Sequence, residues 1–145
     1  MAKKNFPQSK VDWQLNIVWF KRDLRMLDHE PLSDACSAGK ILPLYILEPD
    51  LWKQPDVSYR HFLYLEHYLS QLDKMFRRRG FKLVIKVGKA LAVLSSLQKK
   101  YDIDAIYSHY ETWNKFSKNR DEDIRRWAAK NSLEWIEYQQ NGVVR

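Results

Sequence analysis

Two short stretches of this chain carry side chains that could do chemistry. Lys21-Arg22-Asp23-Leu24-Arg25 sets three cations around one carboxylate, a pattern suited to holding a loop by ion pairs or to gripping an anionic or hydrogen-bonding ligand. Within it, Asp23 can accept backbone N–H groups or an arginine and so shape the floor of a crevice. Ser108-His109-Tyr110-Glu111-Thr112-Trp113 brings an imidazole, a carboxylate and aromatic faces together, where a flat heteroaromatic ligand could be stacked and hydrogen-bonded. Neither stretch has a nucleophile and base at catalytic spacing, and Ser108 beside His109 is too common a dipeptide to mark a hydrolase. The glycines are Gly39, Gly80, Gly88 and Gly142. None falls where a Gly-rich phosphate cradle would need it, so a dinucleotide or Walker-type site is not expected. With Cys36 alone and no Cys/His cluster at zinc spacing, neither a disulfide nor a structural metal is expected.

Strand-like and helix-like patterns alternate around these stretches. Leu15–Phe20 is a nearly continuous apolar run, as a strand covered on both faces requires. Ile41–Leu47, Phe81–Val87, Ile103–Tyr107 and Leu133–Tyr138 repeat the signal, the last with more alternation, which suits a place nearer an edge. Between them, Asp28 is the expected cap of a helix that ends at Gly39. Phe62, Leu65, Leu69, Leu72 and Phe76 form one stripe of a long helix stopped by Gly80. Leu91, Leu94 and Leu97 mark a third helix, and Ser117 opens a fourth through Ile124, Trp127 and Ala128. An alternating βα chain gives a doubly wound, Rossmann-like parallel sheet whose ligands bind beyond the carboxyl ends of the strands. Those ends are Lys21–Asp28, Glu48–Ser58, Gly88–Ala90, Ser108–Asn114 and Gln139–Arg145, and both chemistry-bearing stretches fall among them.

The chain has 145 residues, 45% hydrophobic and 30% charged, which suits one globular domain. No apolar run reaches the roughly 18 residues of a membrane span, and the start is polar, so a cytoplasmic (intracellular) protein is expected. A net charge of +7 invites a nucleic-acid reading. However, Arg77–Arg79, Lys99–Lys100 and Arg125–Arg126 fall toward helix ends, where cations complement the macrodipole. Residues 1–14 read as a flexible arm.

An ordered set of motifs resembles the cryptochrome and DNA photolyase family. It consists of Ile17–Arg25 with Asp28 and Leu32, Leu42–Pro49, Ser58 and Arg60, Gly88, Glu111, Arg120-Asp121, and the exit Gln140–Arg145. The resemblance implies that 15–145 is the family's N-terminal α/β domain, with five parallel strands in the order 3-2-1-4-5. It further implies a crevice for an antenna chromophore (a folate, a deazaflavin or a flavin, or none) built from Arg22 and Asp23, Leu47, Glu48 and Pro49, Arg60, and Ser108, His109, Glu111 and Trp113. Folate-binding members carry an Asn-Glu type pair in the fourth loop. Here Ser108-His109-Tyr110-Glu111 stands instead, which weighs against a folate. By the same resemblance, excitation would pass to FAD in a helical domain beyond Arg145, which with DNA would be met only by the full-length parent, for light-driven DNA repair or blue-light signalling. This domain alone would not be an enzyme, and neither membrane nor metal is an expected partner. Two further classes compete: a nucleotide-binding-type module without photochemistry, and a small basic nucleic-acid accessory protein.

Overall fold

The structure, a computed structural model, describes residues 14–111 and 113–140. The expected arm and the exit motif beyond Gln140 lie outside them, apart from Gln14. Among the described residues five strands and five helices follow one another: β1 (Leu15–Phe20), α1 (Glu30–Ala38), β2 (Lys40–Leu47), α2 (Pro49–Trp52), α3 (Tyr59–Arg78), β3 (Val84–Val87), α4 (Ala90–Lys100), β4 (Ile103–His109), α5 (Lys115–Lys130) and β5 (Glu134–Tyr138). The strands form one sheet in the order β3-β2-β1-β4-β5, with every neighbouring pair parallel. This is the expected 3-2-1-4-5 arrangement.

The composition of β1 explains its central place. Val18 and Phe20 enter a core shared with Leu32 and Ala35 of α1 and Leu65, Leu72 and Phe76 of α3. Ile17 and Trp19 point the other way, into a core shared with Leu94 and Leu97 of α4 and Ile124 and Ala128 of α5. Successive strand side chains face opposite sides, so a strand between two helical layers is apolar at nearly every position, and the exception, Asn16, gives its amide to the Ala35 carbonyl of α1. All six residues of β1 are buried. Each such side chain contributes about 1.5–3 kcal/mol when fully removed from water. At one edge, β3 leaves Ile85 and Val87 exposed.

Several local expectations are corrected. Asp28 does not cap α1; it takes a left-handed φ of 52°, and His29 is the cap, its side chain accepting from the Leu32 N–H. Asn114 rather than Ser117 caps α5, and Ser117 completes a capping box from the third helical position. The third strand starts at Val84 because Asp73 of α3 captures the Leu83 N–H just before it. On α3, Leu65, Leu72 and Phe76 are buried and Leu69 is half-buried, while Phe62 is partly exposed and packs edge-on against Trp52. Arg77, Arg78, Lys99 and Lys100 do occupy last helical turns. Arg125 lies mid-helix, held bidentately by Glu137, so an ion pair explains it better than the macrodipole.

Candidate functional site

At the carboxyl ends of β1, β2 and β4 the chain opens into a cleft of about 360 Å³. It lies where the sheet order reverses, so the crossovers on its two sides diverge and leave a crevice. Its apolar walls come from Phe20 of β1 and Leu24 after it, Tyr45 of β2, Leu51 and Trp52 of α2, and Tyr64, Leu65 and Tyr68 of α3. Trp113 adds an aromatic face, with the Arg22 guanidinium 4.3 Å from its ring centroid. The Trp52 indole N–H is buried and has no hydrogen-bond partner among the described residues. The Tyr45 hydroxyl is near enough to interact with it but not in hydrogen-bonding geometry.

The polar wall is a buried charge cluster. Arg120 of α5 binds Glu48 through one terminal nitrogen, Glu111 through the other and Asp121 through Nε at 2.8 Å. Lys21 Nζ lies 3.5 Å from the other Asp121 oxygen and 4.4 Å from the Trp19 ring centroid. Burial pushes the Glu48 carboxyl up to about 7, and the Arg120 guanidinium only partly offsets it. For Arg120 burial acts in the opposite sense, but Glu48, Glu111 and Asp121 outweigh it and hold the guanidinium firmly charged. Burial lowers Lys21 despite the pull of Asp121.

Behind this wall Asp23 joins three elements. Its Oδ1 accepts the Lys21 N–H at 2.8 Å, and its Oδ2 accepts from His29 Nε2 at 2.7 Å and His109 Nδ1 at 2.6 Å. Burial alone would raise this carboxyl, yet the hydrogen bonds from His109, His29 and Lys21 hold it well below the usual carboxylate range. Asp23, His29 and His109 are also the described residues whose donor atoms converge closely enough to suggest a metal site, within 4.8 Å. Because the Leu32 N–H donates to His29 Nδ1, the ring proton of His29 lies on Nε2, toward Asp23. A metal ion there would need that nitrogen's lone pair, so the set is built as a hydrogen-bonded cluster rather than a coordination sphere.

The expected site residues are distributed unevenly. Arg22, Glu48, Glu111 and Trp113 line the cleft. Asp23 and His109 instead border a neighbouring polar recess with Gln139 and Gln140. Pro49 lines a second cleft, toward Gly88 and α4, that shares Glu48 and Arg120 as its wall. Leu47 packs on the core, Ser108 accepts from Trp135 Nε1 at 2.8 Å, and Arg60 is exposed away from the cleft. The residue after it, His61, is the one that reaches the cleft, with Tyr64, Leu65 and Tyr68. Their spacing of three and four is a second stripe beside the core stripe of α3, a signal present in the sequence.

A doubly wound α/β domain with a ligand-sized, aromatic-walled cleft at its topological switch point is the class that fold and site define. Residues 16–145 match the family model of DNA photolyase, and the chain belongs to that family as its N-terminal α/β domain. It is 35% identical over 103 residues to a cryptochrome DASH, chloroplastic/mitochondrial, of Solanum lycopersicum, covering 66% of this chain and 18% of the relative. It is 30% identical over 131 residues to a deoxyribodipyrimidine photo-lyase of Alkalihalophilus pseudofirmus, covering 86% and 26%. Among solved structures it resembles an archaeal photolyase from Sulfolobus tokodaii, at TM-score 0.77 and 32% identity over 86% of this chain and 29% of that one. That crystal structure holds two FAD molecules and was described as implying a novel light-harvesting cofactor. The chain thus spans between 18% and 26% of the length of these two curated relatives. Among the described residues no helix is long and apolar enough to cross a membrane.

Proposed function

We propose that this chain is the light-harvesting domain of a photolyase- or cryptochrome-type flavoprotein, working inside the cell, whose cleft holds a flat chromophore and passes its excitation to FAD in a C-terminal helical domain. Light-driven DNA repair or blue-light signalling then belongs to the full-length protein. The observation that carries this reading is the cleft itself, whose volume suits one planar ring system and whose walls are aromatic. Its unpaired Trp52 N–H is a donor that a bound heteroaromatic could satisfy.

The residues fit such a group in distinct ways. Trp113 offers a stacking face backed by the Arg22 cation. Tyr64 and Tyr68 form the opposite α3 side, and Glu48 and Glu111, fixed on Arg120, present polar atoms at the cleft floor. The chromophore would supply absorption at wavelengths the protein alone does not absorb. The protein's part is to hold it flat, exclude water from its face and fix its orientation toward the FAD domain.

The test is titration of the chain with riboflavin, followed by flavin fluorescence and by induced visible circular dichroism, alongside AMP and a 5,10-methenylfolate. Saturable flavin binding with an induced signal, weakened in Trp113→Ala, is the expected result. Binding of AMP with no chromophore bound would replace the reading with a nucleotide-binding module.

A further inference from the structure

The buried cluster at the cleft wall is unbalanced. Lys21 and Arg120 contribute two cations, whereas Glu48, Glu111 and Asp121 contribute three carboxylates, and these groups are linked by direct ion pairs. A buried net charge is costly, and one bound proton removes it. We infer that Glu48 carries that proton at neutral pH and donates it from Oε2 to an acceptor atom of the ligand, so the cleft selects an uncharged flat heteroaromatic whose edge presents carbonyl oxygens or ring nitrogens. This deepens the reading of the cleft as a chromophore site and rests on it.

Geometry excludes Asp121 and leaves Glu48 and Glu111, each of which meets Arg120 through Oε1 alone; of these two Glu48 is the more deeply buried, its side chain 5% exposed against 8%. Asp121 has both oxygens engaged by cations, Oδ1 by Arg120 and Oδ2 by Lys21. Glu48 meets Arg120 through Oε1 alone, and no described residue bonds its Oε2. Its side chain is 5% exposed and forms part of the wall of both clefts, so the second oxygen has a cleft and not a protein partner to answer. The unpaired Trp52 N–H on the same cleft is a second, independent donor, so this wall asks for acceptors at two places.

Other charged or titratable groups line the two clefts around Glu48. Tyr45 stands on β2, Asp50 on α2, Lys21 and Arg22 just after β1, and His61 on α3. Glu111 follows β4, Lys89 precedes α4, and Arg120, Asp121 and Asp123 lie on α5. Burial, reinforced by Glu111 and Asp121, raises the Glu48 carboxyl to about 7 against the opposing pull of Arg120, in accord with the charge count.

The experiment uses the full chain in two arms. Carbon-13 NMR of the glutamate side-chain carboxyls from pH 4 to 9 should show one that titrates near neutrality and is missing in Glu48→Gln. An ordinary acidic midpoint for Glu48 overturns the inference. Riboflavin, an uncharged flavin with carbonyl and ring-nitrogen acceptors, is then titrated at pH 6 and pH 8.5. Its affinity should fall about tenfold or more in the parent chain, as the protonated fraction does. In Glu48→Gln, which keeps a neutral donor, it should stay within about twofold. Parent affinity that does not change with pH overturns the inference even if Glu48 titrates as expected. Riboflavin bound at neither pH overturns the chromophore reading and the ligand class with it, while the NMR arm still decides whether Glu48 holds the proton. Should the variant fail to fold, the parent chain's two titrations decide the matter alone.

Discussion

Asp23 and His109 stand 86 residues apart in the chain and 2.6 Å apart in space, Oδ2 to Nδ1. The bond ties the loop after β1 to the last residue of β4, and through His29 the same oxygen reaches the first turn of α1. Asp23→Ala leaves two imidazole N–H groups and the Lys21 N–H without their acceptor. It should lower stability by about 1–3 kcal/mol in urea unfolding, the cost of leaving buried donors unsatisfied. The loss should be the same with and without riboflavin. A variant that melts like the parent yet loses the flavin would instead make Asp23 a ligand contact.

Acid should act through the same carboxyl. Asp23 is held below its unfolded value, so its contribution is fully present above the unfolded pKa of about 4 and is lost as pH falls through the folded value. Stability of the parent chain measured from pH 5 down to pH 2 should therefore decline. Asp23→Asn, starting lower, should decline less. Parallel slopes would show that other carboxylates dominate the acid limb.

The central strand was legible because burial on two faces favours an apolar residue at nearly every step, and Leu15–Phe20 meets that demand everywhere but at the buried Asn16. The alternation of elements and the sheet order followed from the same logic joined to the family motifs. Caps were legible less well. Asp28 and Ser117 are good capping residues by type, but His29 Nδ1 and Asn114 Oδ1 are the atoms placed to accept the free N–H groups. Clusters assembled from distant positions were not legible: nothing in the spacing of Asp23, His29 and His109 brings them together until β1 and β4 pair. Arg60 and His61 show the limit for helices, since a shift of one residue turns a side chain by about 100° around the axis.

Arg120 holds three carboxylates at once, and no single-headed cation can copy that fork. Arg120→Met should cost about 3–5 kcal/mol, because it strands the acidic partners in a buried site. Arg120→Lys should recover only part of that loss in thermal unfolding. Full recovery would mean that charge alone, without the geometry of the fork, holds this wall together.

Trp113 should separate binding from folding. Its contact with Arg22 is a partly exposed cation–π pair, so Trp113→Ala should change stability by less than about 1 kcal/mol. Riboflavin affinity should weaken about three- to tenfold if one stacking face is lost. Equal flavin affinity in both chains would place the ring elsewhere in the cleft.

The pairing of Trp19 with Trp135 gives the protein an optical signature of its own. The two indoles lie 5.8 Å apart with their planes 34° from parallel, and Lys21 Nζ stands close to both rings. At that separation their excited states mix, so the near-ultraviolet spectrum reports the pair rather than two separate chromophores. The ammonium adds a local electric field, so movement of Lys21 would shift this pair's share of the emission, beside that of the other four tryptophans, without any label. Light absorbed by tryptophan thus reads out the charge cluster from inside the fold.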